Sequence, residues 1–262
     1  MAVGVDSSNP RSYELEVLTI VNNEGDGFDV RDLMVECNIY ESIHRNFLMG
    51  ELIISDAIGF LENAKLFGQE SLRIRFKQPS GIQDETDEAD IIDQLFRIYK
   101  ITGVTRVDET TQVYSLNFCS PEFLQAKRIR VSQAFRGSMT DIAALLAEDH
   151  LGIANETKDT KLEPYFEIRE KSQGDNYHVI IPNWTINYAI NWLCARAQGI
   201  DSTSGLQDSF FWYQVANGGY RIQSLRSMMK LNYAGGRPFV YTQAGAGDGR
   251  DAPSDSTEPN IL

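Results

Sequence analysis

Apolar and polar residues alternate through much of the first 120 positions, a pattern typical of strands that bury one face. The clearest run is SLRIRFK at 71–77. Its apolar residues would face a core and its basic residues would face outwards: Leu72, Ile74 and Phe76 against Arg73, Arg75 and Lys77. Further strands are predicted at 13–20, 33–40, 50–55, 94–108 and 112–118. In the second of these, one shared side is predicted for Leu33, Val35, Cys37 and Ile39.

Helical spacing replaces this alternation after position 120. A Ser-Pro pair at 120–121 predicts a short helix that runs to about position 128. Ser138, with Asp141 three residues further on, resembles a capping box in front of apolar residues at helical spacing. It predicts a helix over 138–150 that Gly152 ends.

The last third of the pattern adds a second helix and a hairpin. An apolar stripe predicts a helix over 185–198 that Gly199 closes. Between the two helices, 162–181 is predicted to form two extended pieces around a turn at 172–176. Asn-Gly-Gly at 217–219 between apolar runs predicts a hairpin over 209–225. The residues expected to pack in this half are Ile142, Leu145, Leu146, Trp192 and Leu193.

Two segments show neither the alternation of a strand nor the apolar spacing of a helix. The run at 83–93 is rich in Asp and Glu and predicts a solvated loop. After Val240 the composition changes to Gly, Ala, Asp, Ser and Pro, so 244–262 is predicted to be a flexible tail. The pattern as a whole predicts a mostly β first half, followed by a helix pair and a hairpin.

Composition and charge narrow the class of protein to which the chain can belong. The chain has 262 residues, 42% of them hydrophobic, as in a globular protein. Its net charge of −13 repels nucleic acid and anionic lipid, which argues against conventional DNA binding. In an isolated chain, the simplest interpretation of this charge is that it keeps the protein soluble. In a protein that lines a channel, the same charge would let DNA slide through without sticking to the wall. No apolar run reaches the roughly 20 residues of a membrane span, and residues 1–10 do not resemble a signal peptide. A soluble protein made in a cytoplasm is expected.

No catalytic, metal or cofactor site is predicted. The cysteines Cys37, Cys119 and Cys194 are far apart and in apolar contexts, so we expect them to be small buried hydrophobes. The three histidines share no metal-ligand spacing, and His150 at a helix end favours capping over catalysis. Paired carboxylates of a glycosidase remain an alternative. The basic strand face at 73–77 would either bind phosphate or complement an acidic neighbour, and the second is favoured.

Three stretches resemble the gp27-like baseplate hub proteins of contractile phage tails. The first is NIYESIHRNFLMGELIISDAIGF at 38–60, in which a loop with an aromatic residue, Phe47, joins two strands. The second runs over 96–153, from FRIYKITGV to the capped helix. The third is VIIPNWTINYAINWLCARA at 179–197, which the hairpin follows. Related hubs of type VI secretion and other contractile injection systems share this order of barrel, capped helix, proline-led helix and hairpin. The resemblance covers most of 13–225.

The resemblance implies an α+β, mostly β fold: a tail-tube-like β-barrel domain, then a helix-containing second domain with a β-hairpin. The corresponding division is 12–128, 129–243 and the tail at 244–262. It implies a non-enzymatic homotrimer in the virion, in which two barrels per chain imitate a six-fold ring. This ring would adapt the tail tube to the three-fold spike. After Val240 little sequence remains for a second barrel, so either that barrel is small or another protein completes the ring.

Partners implied by the resemblance are the central spike protein, the tail tube or tube-initiator protein, baseplate wedge proteins and the tape-measure protein. DNA would pass through the lumen without sequence-specific binding, and stable membrane insertion is not expected. The alternatives are another tail ring component (a distal tail or tube-terminator protein), a cell-wall-degrading hydrolase domain and a receptor-binding adhesin.

Overall fold

The computed structural model describes residues 13–77, 91–154, 164–199, 209–216 and 219–230. The strands are β1 (Glu14–Val21), β2 (Gly27–Asp29), β3 (Met34–Tyr40), β4 (Met49–Asp56), β5 (Ser71–Lys77), β6 (Ile91–Arg106), β7 (Gln112–Cys119), β8 (Arg130–Gly137), β9 (Phe166–Ile168), β10 (Tyr177–Thr185), β11 (Phe210–Gln214) and β12 (Tyr220–Ser224). The helices are α1 (Phe60–Asn63), α2 (Pro121–Arg128), α3 (Met139–Leu151), α4 (Ile186–Cys194) and α5 (Leu225–Lys230). The predicted tail, most of the acidic run and two residues of the hairpin turn lie outside the described residues.

Seven strands of the first half form one antiparallel sheet in the order β2-β1-β5-β6-β7-β4-β3. Alternate residues of its strands share a single hydrophobic core, so the sheet curls around its own apolar face. This first core includes Leu18, Ile54, Leu72, Phe96 and Leu116, each at most 1% exposed. The end strands β2 and β3 do not pair with each other in the described residues, so the predicted barrel is a curled sheet with one open side.

The second half packs three helices against two small sheets. Strands β8 and β10 form an antiparallel pair, and β12 lies between β11 and β9, antiparallel to the first and parallel to the second. Helices α3 and α4 pack on each other and share the second core with these sheets. In the described residues this half holds a two-stranded and a three-stranded sheet instead of a barrel. The prediction of an α+β, mostly β fold is confirmed.

The helix signals are confirmed at α3, while the predicted end of α4 is wrong. The Ser138 hydroxyl accepts a hydrogen bond from the Asp141 N–H at 3.1 Å, and Gly152 ends α3 with a positive φ of 68°. Helix α4 ends at Cys194, four residues before the predicted end. Gly199 instead forms an isolated bridge with Ser172, because the chain already leaves the helix after Ala195.

Three side chains that were predicted to face a core are exposed or only partly buried. Val35 is 61% exposed because the register of β3 against β4 shifts between Met34 and Glu36, which turns this residue outwards. Leu145 is 42% exposed, since it lies about 100° around the helix from the buried Leu146. Trp192 is only partly buried at the border of the second core.

Candidate functional site

The candidate catalytic groups are scattered. No group of three or more His, Cys, Asp or Glu residues able to hold a metal ion occurs in the part of the chain that the structure describes. His44 lies in the loop between β3 and β4, with its ring centroid 5.5 Å from that of Phe211. His150 lies in the last turn of α3, as predicted, and its buried Nε2 atom has no hydrogen-bond partner among the described residues. Across the described ranges no helix combines the length and hydrophobicity of a membrane crossing.

The basic face of β5 is paired with carboxylates from its neighbouring strands. Arg73 donates two hydrogen bonds to Asp93, at 3.1 and 3.0 Å, and this contact raises the pKa of Arg73. The Nε atom of Arg75 lies 2.7 Å from a carboxylate oxygen of Glu16 on β1. The favoured prediction, that this face complements an acidic neighbour, is confirmed for Arg73 and Arg75. Asp93, expected in a solvated loop, is instead a mostly buried strand residue.

The loop between β3 and β4 joins the two halves of the molecule. It carries Phe47 out of the curled sheet and into the second core, where Phe47 is 4% exposed. The Phe47 ring makes edge-to-face contacts with Phe123, Trp212 and Tyr220, at centroid distances of 5.7, 5.5 and 5.9 Å. We call this packing, with the polar contacts around it, the junction. Phe47 is the loop aromatic residue of the first stretch that resembles hub proteins, and the structure buries it.

Buried hydrogen bonds accompany the aromatic packing at the junction. The side-chain oxygen of Gln214 accepts a hydrogen bond from the Leu48 N–H at 2.9 Å and another from the Ser120 hydroxyl. These bonds tie the start of β4, the end of β7 and strand β11 together. At the edge of the junction the Ala216 N–H donates to Glu41 at 2.9 Å. These bonds and the packing of Phe47 attach the loop to both halves of the molecule.

A buried acid lies beside this cluster. The hydroxyl of Tyr220 donates to a carboxyl oxygen of Glu122 at 2.9 Å. Burial raises the pKa of Glu122, and the hydrogen bond from Tyr220 offsets this only in part. Burial also raises the pKa of Tyr220 well above its ordinary value. Sequence reasoning missed this pair and Gln214; a Glu at the second position of a helix is an ordinary capping residue and gives no sign of burial.

The open side of the curled sheet forms an apolar groove of about 380 Å³. It lies where the start of β1, the end of β5 and the start of β6 meet the length of β3. The tip of the β11–β12 hairpin closes one end through Ala216. The apolar side chains that line it include Tyr13, Leu15, Cys37, Ile39, Phe76 and Ile92. Cys37, expected to be buried, is instead partly exposed on this groove, while Cys119 and Cys194 are buried as predicted.

No protein family model matches the chain, and no curated protein matches it in sequence. Solved structures similar to it include the 43 kDa tail protein of prophage MuSo2 from Shewanella oneidensis, at 11% identity and a TM-score of 0.49 over 80% of this chain and 54% of that one. A tail protein from Neisseria meningitidis MC58 has 10% identity and a TM-score of 0.46, over 80% of this chain and 50% of that one.

A type VI secretion component from E. coli, described as structurally similar to the T4 bacteriophage tail proteins gp27 and gp5, has 9% identity and a TM-score of 0.37. The alignment covers 81% of this chain and 46% of that one. The chain thus spans about half the length of these solved structures. The structures to which it is similar are phage tail proteins and type VI secretion proteins.

Proposed function

We propose that this protein is a baseplate hub of a contractile phage tail, or of a system derived from one. As a hub it is a structural, non-enzymatic protein of the virion that joins the six-fold tail tube to the three-fold central spike. Its partners are two further copies of itself, the spike, the tube or its initiator, and the wedge and tape-measure proteins. The hub's two units correspond to 12–128 and 129–243.

The observation that carries the proposal is the order of the elements. The curled sheet β1–β7 is followed by the capped helix α3, then by α4 behind Pro182, then by the β11–β12 hairpin. This is the order that the resemblance to hub proteins describes. The junction adds a mechanical argument, because an adaptor that transmits load between tube and spike needs its halves fixed to each other. Phe47 and Gln214 provide that fixation through buried contacts.

Charge supports a channel role. A ring of three chains at −13 each carries −39. On β5, Arg73 pairs with Asp93 and Arg75 pairs with Glu16; each pair is neutral, so the net charge of −13 comes from acidic residues elsewhere in the chain. A wall with this sign repels the phosphate backbone and lets DNA pass without adhering.

The native mass of the purified chain tests the proposal. We expect light scattering over a concentration series to give a mass near three times 29.5 kDa. A six-chain ring would favour a distal tail or tube-terminator protein instead. A monomer at every concentration contradicts the homotrimer. Peptidoglycan turnover by the same sample would contradict the non-enzymatic role and favour the hydrolase alternative.

A further inference from the structure

A cleft of about 440 Å³ lies between the curled sheet and α2. We call it the α2 cleft; its first wall carries Gln69 and Arg97, and its second wall carries Pro121, Leu124, Gln125 and Arg128. The residues of the second wall are three, four and seven positions from Pro121, so they share one face of the helix. The buried residues of α2, Glu122 and Ala126, lie on a different face. Helix α2 therefore turns an uncovered face towards the cleft.

Buried groups hold both walls of the α2 cleft in place. The carboxylate of Glu70, which is fully buried, accepts hydrogen bonds from the N–H groups of residues 67–69 at 2.6, 3.0 and 2.9 Å. On the other side, Phe123 of α2 packs on Phe47 at the junction. A cleft whose walls are already ordered loses little entropy when it binds a partner, and this favours affinity.

The α2 cleft is positive although the chain as a whole is acidic. The stretches that include most of β6 and α2, 94–107 and 123–137, contain three and four Lys or Arg residues and no Asp or Glu. The Nη1 group of Arg97 donates to the Gln69 carbonyl at 3.3 Å, which holds its guanidinium at the cleft. Within the described ranges, neither Arg97 nor Arg128 forms an ion pair with a carboxylate. Both guanidinium groups therefore have donors left for an external anion.

Apolar side chains at the α2 cleft narrow the class of this anion. Leu124 is 41% exposed in the second wall, and Phe67, beside the first wall, is 76% exposed. Inorganic phosphate has no group that could cover them. A long nucleic acid would meet the repulsion of the whole chain, whereas a short peptide responds mainly to charges within about 8 Å at 0.15 M salt. A peptide that carries both carboxylates and an apolar side chain fits the cleft on both counts.

We propose that the α2 cleft binds an acidic peptide segment of another protein. Carboxylates of the segment accept hydrogen bonds from Arg97 and Arg128, and an apolar side chain of the segment packs on Leu124. The side-chain amides of Gln69 and Gln125 are available to the peptide backbone. The proposal does not depend on the hub function, because it follows from the cleft alone.

Fluorescence anisotropy of a labelled peptide tests the role of the two arginines. The probe is a short peptide in which glutamate and leucine alternate, titrated with the full chain at low salt. We expect Arg97→Gln and Arg128→Gln each to weaken binding at least about tenfold, because each removes a hydrogen-bonded charge pair. Arg136→Gln is the matched control: it removes the same charge from β8, where Arg136 donates to Asn176 at 2.7 Å, and should change the affinity less than about twofold.

A second pair of variants tests the apolar contact. Leu124→Ala should weaken binding of the glutamate–leucine peptide at least about threefold and leave binding of a glutamate–alanine peptide unchanged. Leu145→Ala on α3 removes a leucine of nearly the same exposure and should affect neither peptide. Equal losses in the two variants contradict a contact at Leu124.

The remaining outcomes each overturn the proposal. The first is no measurable binding of the glutamate–leucine peptide, and the second is an equal loss of binding in Arg97→Gln, Arg128→Gln and Arg136→Gln. Tighter binding of a single-stranded oligonucleotide, lost in the same two cleft variants, would assign the cleft to nucleic acid. Displacement of the peptide by inorganic phosphate at equal concentration would assign it to a free anion. A native mass that falls in Arg97→Gln would assign it to a contact between copies of the chain.

Discussion

Phe47 is the residue on which the junction depends most. Its ring belongs to the second core, and the preceding Asn46 donates a hydrogen bond to Asn191 of α4 at 2.8 Å, whereas the following Leu48 is buried in the first core. Phe47→Ala removes three aromatic contacts and leaves a cavity between the two halves. We expect it to lower the free energy of unfolding by about 3–5 kcal/mol, measured by urea denaturation.

The matched control for Phe47 is Leu145→Ala. Leu145 is a large apolar residue that is 42% exposed on α3, so its loss should cost roughly 1 kcal/mol or less. If Phe47→Ala costs no more than this control, the junction does not hold the halves together. A second transition in the unfolding curve of Phe47→Ala would indicate halves that unfold separately.

Glu122 gives the stability a pH dependence of defined sign. Burial raises the pKa of Glu122 in the folded state, so the folded protein binds this proton more tightly than the unfolded one. Its contribution is therefore full below the ordinary glutamate pKa of about 4.3 and is lost as the pH rises through the raised value. Glu122→Gln stays neutral, so its stability relative to the unchanged chain should increase between about pH 4 and pH 7.

The comparison variant for Glu122 is Tyr220→Phe. It removes the hydroxyl that donates to the carboxylate; together with a hydrogen bond from the backbone of Glu122, this donation lowers the pKa of Glu122 against the effect of burial. The fall in unfolding free energy with rising pH should then become steeper. A constant difference between Glu122→Gln and the unchanged chain over this range would show that Glu122 ionises normally.

At the scale of elements, strand β4 depends on Gly50. A Cβ at this position would collide with the carbonyl oxygen of Asn38 on β3 and with the ring of Phe118 on β7. The strand can pair with both neighbours only because this residue has no side chain. We expect Gly50→Ala to cost about 1–3 kcal/mol in urea denaturation.

Gly27 on β2 is the control for Gly50. A Cβ there would meet only a methyl group of Thr19 at 3.6 Å, which is ordinary contact. Gly27→Ala should therefore be neutral or slightly stabilising, because alanine has less backbone freedom to lose on folding. Equal losses in the two variants would mean that the general cost of replacing glycine, and not the collision at Gly50, explains the effect.

The elements could largely be predicted because their signals are local. Strand β5 matches its alternating pattern, and Ser138 and Gly152 mark the ends of α3 as expected. The side of a strand on which a residue lies is harder to predict where the strand contains an irregularity. The bulge in β3 turns Val35 outwards, and such a bulge follows from pairing with β4 rather than from the sequence of β3 itself. The apolar stripe at 185–198 likewise continues beyond the point at which α4 ends.

At the scale of the whole molecule, the junction could not be found from the sequence. The bond between Leu48 and Gln214 joins residues 166 positions apart, and no local period encodes such a pairing. Phe47 had a signal, an aromatic residue in a polar loop, but the sequence does not say which core receives it. The groove is equally non-local, because β1 and β3 face each other only after the sheet has curled.

Assembly of the proposed trimer should respond to salt in a defined direction. Each chain carries −13, so copies repel one another at low ionic strength, and the Arg73–Asp93 and Arg75–Glu16 pairs leave fewer free cations for contacts between chains. Screening shortens the range of this repulsion to about 8 Å at 0.15 M salt, against about 30 Å at 0.01 M. We therefore expect sedimentation to show more trimer, by about tenfold in the association constant, at the higher salt.

An uncharged osmolyte of equal osmolality is the control and should not reproduce the change. Dissociation on adding salt would mean that opposite charges hold the copies together, so the acidic surface would have to lie away from the contacts between chains.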